Sequence, residues 1–272
     1  MHPLIEISRP LTSFMVGLAV VVSAVIGAGA ATAEYGAQVI LAFVSVLLFA
    51  SAGNAVNDYV DRKTDKVNHP ERPLPSGRIG AKTVLFFSGI LFLVAGFLSF
   101  KINATCFTIA VAAMLVQLLY ELKLKAMGFI GNVAIAFQTA LAFMFGGAAV
   151  DSMEFIRIPA LLAFLAILAR EIIKDIEDMA GDVDRMTLPK AIGARNAALV
   201  ASTFFAAAIV LSFLPYQREM LGIIYLPFAV FADLTFVYAS AMQFKNPKRA
   251  RVVAKYGMLA AMVGFLVGKL GV

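Results

Sequence analysis

The chain has 272 residues, 61% of them hydrophobic and 15% charged, with 23 Phe, no Trp and a mean hydropathy of +0.88. A soluble domain is roughly half apolar and about a quarter charged, so the excess here must face lipid, and a soluble globular fold is excluded. The formal charge of +6 and pI near 9.5 do not make a nucleic-acid surface, because the basic residues lie in short loops between apolar runs.

A single cysteine, Cys106, excludes an internal disulfide, and with two histidines the chain has no zinc cluster to offer. Cys106 reads as a packing residue at lipid depth. Near the N-terminus, Ala31-Thr32-Ala33 is a small-residue pattern that a signal peptidase could read. The preceding apolar run from Leu11 to Ala28 is longer than a signal h-region of roughly 7 to 15 residues, and further runs follow, so it reads as an uncleaved span.

Runs long enough to cross a bilayer fall near residues 11–31, 37–57, 82–100, 104–120, 129–150, 157–174, 197–214, 221–243 and 252–271. Backbone groups in hydrocarbon need internal partners, and these runs are too long and too uniformly apolar for barrel strands. The predicted fold class is therefore all-α: a polytopic membrane bundle of nine transmembrane helices, with cytoplasmic cap loops after helices 2 and 6. It forms one domain over residues 1–272, with two weakly repeated halves near 1–125 and 126–272.

With the N-terminus in the cytoplasm, only Lys101, Arg157, Arg218 and Lys269 of the 23 Lys and Arg fall outside, leaving 19 inside. The positive-inside rule then fixes the orientation and puts the C-terminus outside. The loops after spans 2 and 6 carry most of the acidic residues too, so the chemistry belongs on the cytoplasmic face of the cell membrane. They resemble each other, Asn57 to Asp61 through Leu74-Pro75 to Gly80 matching Lys174 to Asp178 through Leu188-Pro189 to Gly193. Two such half-sites can face one cavity inside a closed bundle.

On a helix advancing about 100° per residue, Asn54, Asn57, Asp58, Asp61 and Asp65 fall within roughly a 100° arc, and Glu171, Asp175, Asp178 and Asp182 within roughly 60°. Like charges at these spacings repel, and charge near hydrocarbon is costly enough to mark function. A cation between them relieves both. With only carboxylate and carboxamide oxygens available, the donor set selects a hard ion such as Mg²⁺, which is commonly held by one or two carboxylates plus substrate phosphates. Arg62, Lys63, Lys66, Arg72 and Arg78 follow the first stripe, Lys123 and Lys125 follow Tyr120, and Lys174 sits inside the second. Together with Mg²⁺, these cations suit a departing phosphate or diphosphate. Arg62, Lys63, Glu71, Glu177 and Asp184 read as a solvated rim.

The segment Asn57-Asp58-Tyr59-Val60-Asp61-Arg62-Lys63-Thr64-Asp65, followed by Arg72-Pro73-Leu74-Pro75-Ser76-Gly77, resembles the first signature of the UbiA superfamily of intramembrane prenyltransferases. Asp178-Met179-Ala180-Gly181-Asp182 resembles the second, Tyr120 to Lys125 with Gly131-Asn132 resembles the loop after span 4, and Arg9-Pro10 resembles the usual start. The likeness covers essentially the whole chain. It implies that Asn57, Asp61, Asp65, Asp175, Asp178 and Asp182 hold Mg²⁺ on the diphosphate of a prenyl donor whose tail lies among the helices. Asp61, Asp182 and Lys125 are then the catalytic set, and Arg9, Lys66, Arg72, Arg78, Tyr120, Lys123, Lys125, Asn132 and Lys174 the substrate-binding set. The linker from Asp182 to Thr187-Leu188-Pro189 is short and lacks the glycine often found there, which leaves Asp175 and Asp178 as alternatives for the first ligand of the second signature.

The run from Arg170 to Asp178 with Thr187-Leu188-Pro189 is most similar to the archaeal members that make ether lipids. These move a geranylgeranyl group from its diphosphate onto the glycerol hydroxyl of geranylgeranylglyceryl phosphate. Arg9, Arg62, Lys63, Arg78 and Lys123 supply a surplus of cations for the acceptor's own phosphate. An aromatic acceptor, a hydroxybenzoate, naphthoate or porphyrin, is the alternative within the enzyme class. Outside it stands a cation transporter, which needs carboxylates at mid-depth, where Asp233 is the clear one and reads as a structural hydrogen bond. A phosphatidyltransferase would bring a D-G-x-x-A-R opening that both stripes lack. The expected partners are the prenyl diphosphate, the acceptor and the bilayer, with no protein partner and no nucleic acid.

Overall fold

The computed structural model describes residues 2–179 and 186–271 and contains helices and turns, with no strand among the described residues. Helix α1 (Pro3–Ile7) is capped by His2, whose side chain accepts from the Leu4 N–H. Arg9 turns the chain in the left-handed region (φ 46°), and Pro10 opens α2 (Pro10–Ala28) at a position where a missing N–H costs nothing. A 3-10 turn over Gly29–Tyr35 reverses the chain into α3 (Gly36–Val60), and α4 (Arg62–Asn68) follows. Next come α5 (Ala81–Ile102) and α6 (Ala104–Leu122), separated by Asn103, whose side chain caps α6 through the Cys106 N–H at 2.7 Å. A short 3-10 turn leads to α7 (Phe129–Ala149) and then α8 (Met153–Asp178). The remainder is α9 (Leu188–Ile192), α10 (Ala194–Ser212), α11 (Leu214–Gln217), α12 (Tyr225–Met242) and α13 (Pro247–Leu270).

Seven segments among the described residues are long and apolar enough to cross a membrane. The first, Pro10–Val60, is 51 residues long and folds back on itself, so that α2 packs along α3. Helix α8 lies outside that apolar set because Glu154, Arg157, Arg170, Glu171, Lys174 and Asp175 punctuate it. The first predicted acidic stripe was expected on one continuous helix; instead α3 stops at Val60 and α4 restarts at Arg62, with Asp61 between them. The four-residue ladder survives the break, since Asp61 N–H donates to Asn57 O (2.9 Å) and Asp65 N–H to Asp61 O (2.8 Å). The stripe therefore keeps its helical spacing across the break.

Small residues let the helices close up, as expected where lipid cannot drive packing by hydrophobicity alone. A Cβ on Gly146 would fall onto the Val20 carbonyl oxygen, which fixes how closely α7 approaches α2. Buried hydroxyls find backbone or side-chain partners: Ser23 donates to Phe143 O, and Ser45 bonds Ala95 O and Ser99 Oγ at 2.8 and 2.9 Å, tying α3 to α5. A buried cluster around Phe205 and Phe236, stacked at 4.7 Å, joins α8, α10, α12 and α13. Cys106 is fully buried against Phe145, in the packing role expected of it.

Candidate active site

The N-terminal end of α2 and the C-terminal ends of α3 and α6 meet over a cavity of about 670 Å³ that runs down between α2, α3, α6 and α7. Arg9, Asn57, Tyr120 and Glu121 line its polar end, while Ser45, Phe49, Ile109 and Phe145 lie along its apolar depth. From Asn57 to Ser45 along α3 is twelve residues, or about 18 Å at 1.5 Å per residue. The cavity is thus a slot with charge at one end and hydrocarbon walls along the rest.

At the polar end the first stripe is bound into a network. The Arg9 guanidinium pairs with Asp58 and lies 3.5 Å from Asn57 Oδ1. Asn57 Nδ2 donates to Asp61 Oδ2 (3.2 Å) and to Glu121 Oε2 (3.0 Å). Lys125 Nζ sits 2.5 Å from Asp61 Oδ2 and 3.5 Å from Glu121 Oε2. Arg72 Nη1 bonds both oxygens of the buried Asp65 at 2.9 Å, which pins the loop after α4 onto the site. Arg78, which does not line the cavity, bonds the Glu6 carboxylate at 2.7 and 2.9 Å and the Glu71 carbonyl at 2.7 Å.

The second stripe is reached through α7. Asn132 Nδ2 donates to Asp175 Oδ2 at 2.7 Å, bridging α7 and α8. Glu171 is buried and takes Arg170 at 2.6 Å and Lys174 at 3.8 Å, while Asp178 is exposed at the last turn of α8. Gly128 (φ 55°) starts α7 in a backbone region open to glycine, and a Cβ there would collide with the Met186 carbonyl, so the turn before α7 lies against the chain entering α9. The predicted ligand Asp182 lies outside the described residues. Lys66 and Lys123 are exposed.

Tyr120, Asn57, Arg9 and Lys125 are gathered at one end of the cavity. Glu121, Gln117 and Gln138 are part of the same arrangement and were not anticipated. Gln138 Nε2 donates to Gln117 Oε1 (3.1 Å), and Gln117 Nε2 to Glu121 Oε1 (3.2 Å). The signal for two of them was present: Gln117 and Glu121 are four residues apart and so share one face of α6, the face that Lys125 meets from just beyond the helix. Arg62, assigned to the rim, lies over the Tyr59 ring at 4.4 Å. Glu177, also assigned to the rim, pairs with Arg251 at 2.6 Å and fastens α8 to α13. Asp233 accepts from Ser212 Oγ at 2.8 Å, the structural hydrogen bond expected of it.

No cluster of three or more His, Cys, Asp or Glu close enough to share one metal occurs among the described residues. The residue types are those that hold a hard divalent cation, a carboxamide and a carboxylate four residues apart, but here the Asn57 amide nitrogen faces Asp61, its oxygen faces Arg9, and the Lys125 ammonium lies against the Asp61 carboxylate.

The model of the UbiA prenyltransferase family matches residues 15–264. A digeranylgeranylglyceryl phosphate synthase of Methanosphaera stadtmanae is 37% identical over 99% of this chain and 100% of its own length. One from Methanosarcina mazei is 40% identical over 84% of this chain and 81% of its own. A solved structure described as giving structural and mechanistic insights into digeranylgeranylglyceryl phosphate synthase in membranes superposes with a TM-score of 0.90 at 30% identity, covering 99% of this chain and 98% of the other. A UbiA homolog from Archaeoglobus fulgidus bound to GPP and Mg²⁺ shares the fold, with a TM-score of 0.73 at 15% identity over 99% of this chain and all of that one. The chain belongs to the UbiA prenyltransferase family.

Proposed function

We propose that this prenyltransferase moves the geranylgeranyl group of geranylgeranyl diphosphate onto the glycerol hydroxyl of geranylgeranylglyceryl phosphate, releasing diphosphate, in the synthesis of an ether lipid. The observation that carries the proposal is the slot itself, in which cations and hard oxygen donors sit at one end of an apolar cavity that follows α3 for about 18 Å. The full-length likeness to digeranylgeranylglyceryl phosphate synthases favours the lipid acceptor over an aromatic one. Family membership and the helix-end position of the carboxylates weigh against the transporter.

The diphosphate would lie at the mouth, where Lys125 and Arg9 face the charge that develops as the allylic C–O bond breaks. Asn57 and Asp61 from the first stripe, with Asp178 and Asp182 from the second, would hold Mg²⁺, which when bound supplies positive charge to the leaving diphosphate. Asp65 and Asp175 act as supports, the first through Arg72 and the second through Asn132. Tyr120 lines the mouth, and Lys66, Arg72, Lys123, Arg78 and Lys174 provide the surrounding cationic field. The apolar walls keep water from the allylic carbon until the acceptor oxygen forms the new C–O bond and its proton leaves.

The same proposal includes nine membrane spans, each of the nine apolar runs falling mostly on one described helix of 18 to 26 residues. The cap loops after α3 and α8 then face the cytoplasm. The experiment is diphosphate release from geranylgeranyl diphosphate by purified protein in detergent. Release that needs both Mg²⁺ and the lipid acceptor, and stops with EDTA, is expected; release in chelator at the same rate would overturn the mechanism.

A further inference from the structure

A second cavity, of about 250 Å³, lies among α2, α7, α8, α10, α12 and α13. Alanines of five helices line it, Ala19, Ala163, Ala208, Ala229 and Ala261 among them, so the space is open where larger side chains would meet. It adjoins the slot, because Ala19, Thr139 and Phe143 line both. Thr139 and Phe143 stand roughly 15 and 21 Å along α7 from Phe129 at 1.5 Å per residue, so the two spaces touch at their apolar depth and not at the polar mouth.

The cavity has a polar end and an apolar one. Along α13 its lining runs from Lys255 to Phe265, about 15 Å. Lys255 marks the end toward the second acidic stripe, since Arg251, one turn earlier, pairs with Glu177 in the last turn of α8. The other polar lining groups are satisfied inside the protein. Asp233 accepts from Ser212 Oγ at 2.8 Å, Tyr225 Oη donates to Ser212 O at 2.7 Å, and Thr139 Oγ1 donates to Ile135 O at 3.2 Å. Lys255 has no hydrogen-bond or ion-pair partner among the described residues. Its long stem lets the ammonium rise toward the interface, where an anionic lipid headgroup can neutralise it.

A reaction between two lipids needs two apolar spaces that adjoin, and the slot is one of them. Resting on the reading that the acceptor is geranylgeranylglyceryl phosphate, we propose that the second cavity takes the acceptor's isoprenoid chain, with its phosphate toward Lys255. The donor's chain then fills the slot. Charge matching makes the assignment: Arg9 and Lys125 at the slot's mouth suit a diphosphate, and a single free amine suits a phosphate monoester.

The test labels each chain where it lies. Geranylgeranylglyceryl phosphate and a non-hydrolysable geranylgeranyl thiolodiphosphate, each with a diazirine at the chain terminus, are photolysed with the purified full chain, and labelled peptides are read by mass spectrometry. The acceptor probe is expected on α8, α12 and α13 around Leu162, Ala229 and Phe265, and the donor probe on α3 and α6 around Ser45 and Ile109. An acceptor probe found on α3 and α6 instead overturns the proposal. In steady-state assays Ala261→Leu, which fills the cavity, raises the acceptor KM about tenfold or more and leaves the donor KM within about twofold. Ala163→Leu does the same from α8, and an unchanged donor KM shows that each variant is folded. An acceptor bearing a geranyl chain escapes both effects. A raised donor KM with an unchanged acceptor KM gives the cavity to the donor and overturns the proposal, as does an unchanged KM for both. Lys255→Met raises the acceptor KM about tenfold and Lys255→Arg restores it; a wild-type KM in Lys255→Met overturns the placing of the phosphate. Acceptor labelling of α8, α12 and α13 with no diether formed supports the cavity as a lipid-phosphate site and overturns the proposed reaction instead.

Discussion

At the mouth of the slot, Asp61 stands at the break between α3 and α4, touched by Asn57 from its own turn and by Lys125 from beyond α6. A residue that gathers partners from separate elements loses more than one contact when truncated. Asp61→Ala is expected to lower turnover at least about a hundredfold while the protein still inserts and elutes as folded; a variant with normal turnover would remove Asp61 from the site. Lys125→Ala is expected to raise the KM for the prenyl diphosphate far more than Arg157→Ala, since Arg157 lies near the opposite end of the bundle, at the start of α8. Equal effects in a steady-state assay would contradict the placement of the mouth. Both residues could be named from sequence because their spacing and types match a known signature. Glu121 could not, because whether a carboxylate binds metal, neutralises a lysine or steers an amide depends on side chains 64 residues away. The arginines teach the same lesson: Arg9 and Arg72 read as substrate groups, and in the fold each also meets a buried aspartate.

Among the elements, α1 and the loop before α5 form one contact that pH can address. The Arg78 hydrogen bond holds the Glu6 carboxyl below its ordinary 4.5, against a smaller opposing effect of burial. A lowered pKa in the folded state contributes stability above the unfolded value, and that contribution is lost as pH falls. Hydrogen exchange over Pro3–Ile7 is therefore expected to be protected at neutral pH and to quicken relative to the core as pH drops below about 4.5. Glu6→Gln should show the quick exchange at neutral pH already. At the close approach of α2 and α7, Gly146→Val places a side chain against the Val20 carbonyl, and a cost of about 1–3 kcal/mol or more is expected as a lowered thermal midpoint in detergent. The long helices were legible because each apolar run ends at charges, Gly or Pro. The restart at Arg62 was not, because the four-residue ladder runs through Asp61 and periodicity alone reports no break. Partner choice between helices was equally hidden, since Gln117 and Gln138 meet only once α6 and α7 are packed.

For the molecule as a whole, the bundle separates charge from hydrocarbon along its depth, and the slot crosses that boundary. This is what lets a diphosphate and a polyisoprenoid chain be held by one cavity, and it is why composition and motif together indicated the chemistry before the helices could be arranged. The central claim is that the slot joins a geranylgeranyl chain to a lipid hydroxyl. The most direct measurement offers purified protein, with Mg²⁺ and geranylgeranyl diphosphate, geranylgeranylglyceryl phosphate and 4-hydroxybenzoate in parallel, and reads the products by mass spectrometry. A digeranylgeranylglyceryl phosphate product, absent with Asp61→Ala, is the predicted result; a prenylated benzoate with no diether product would contradict it.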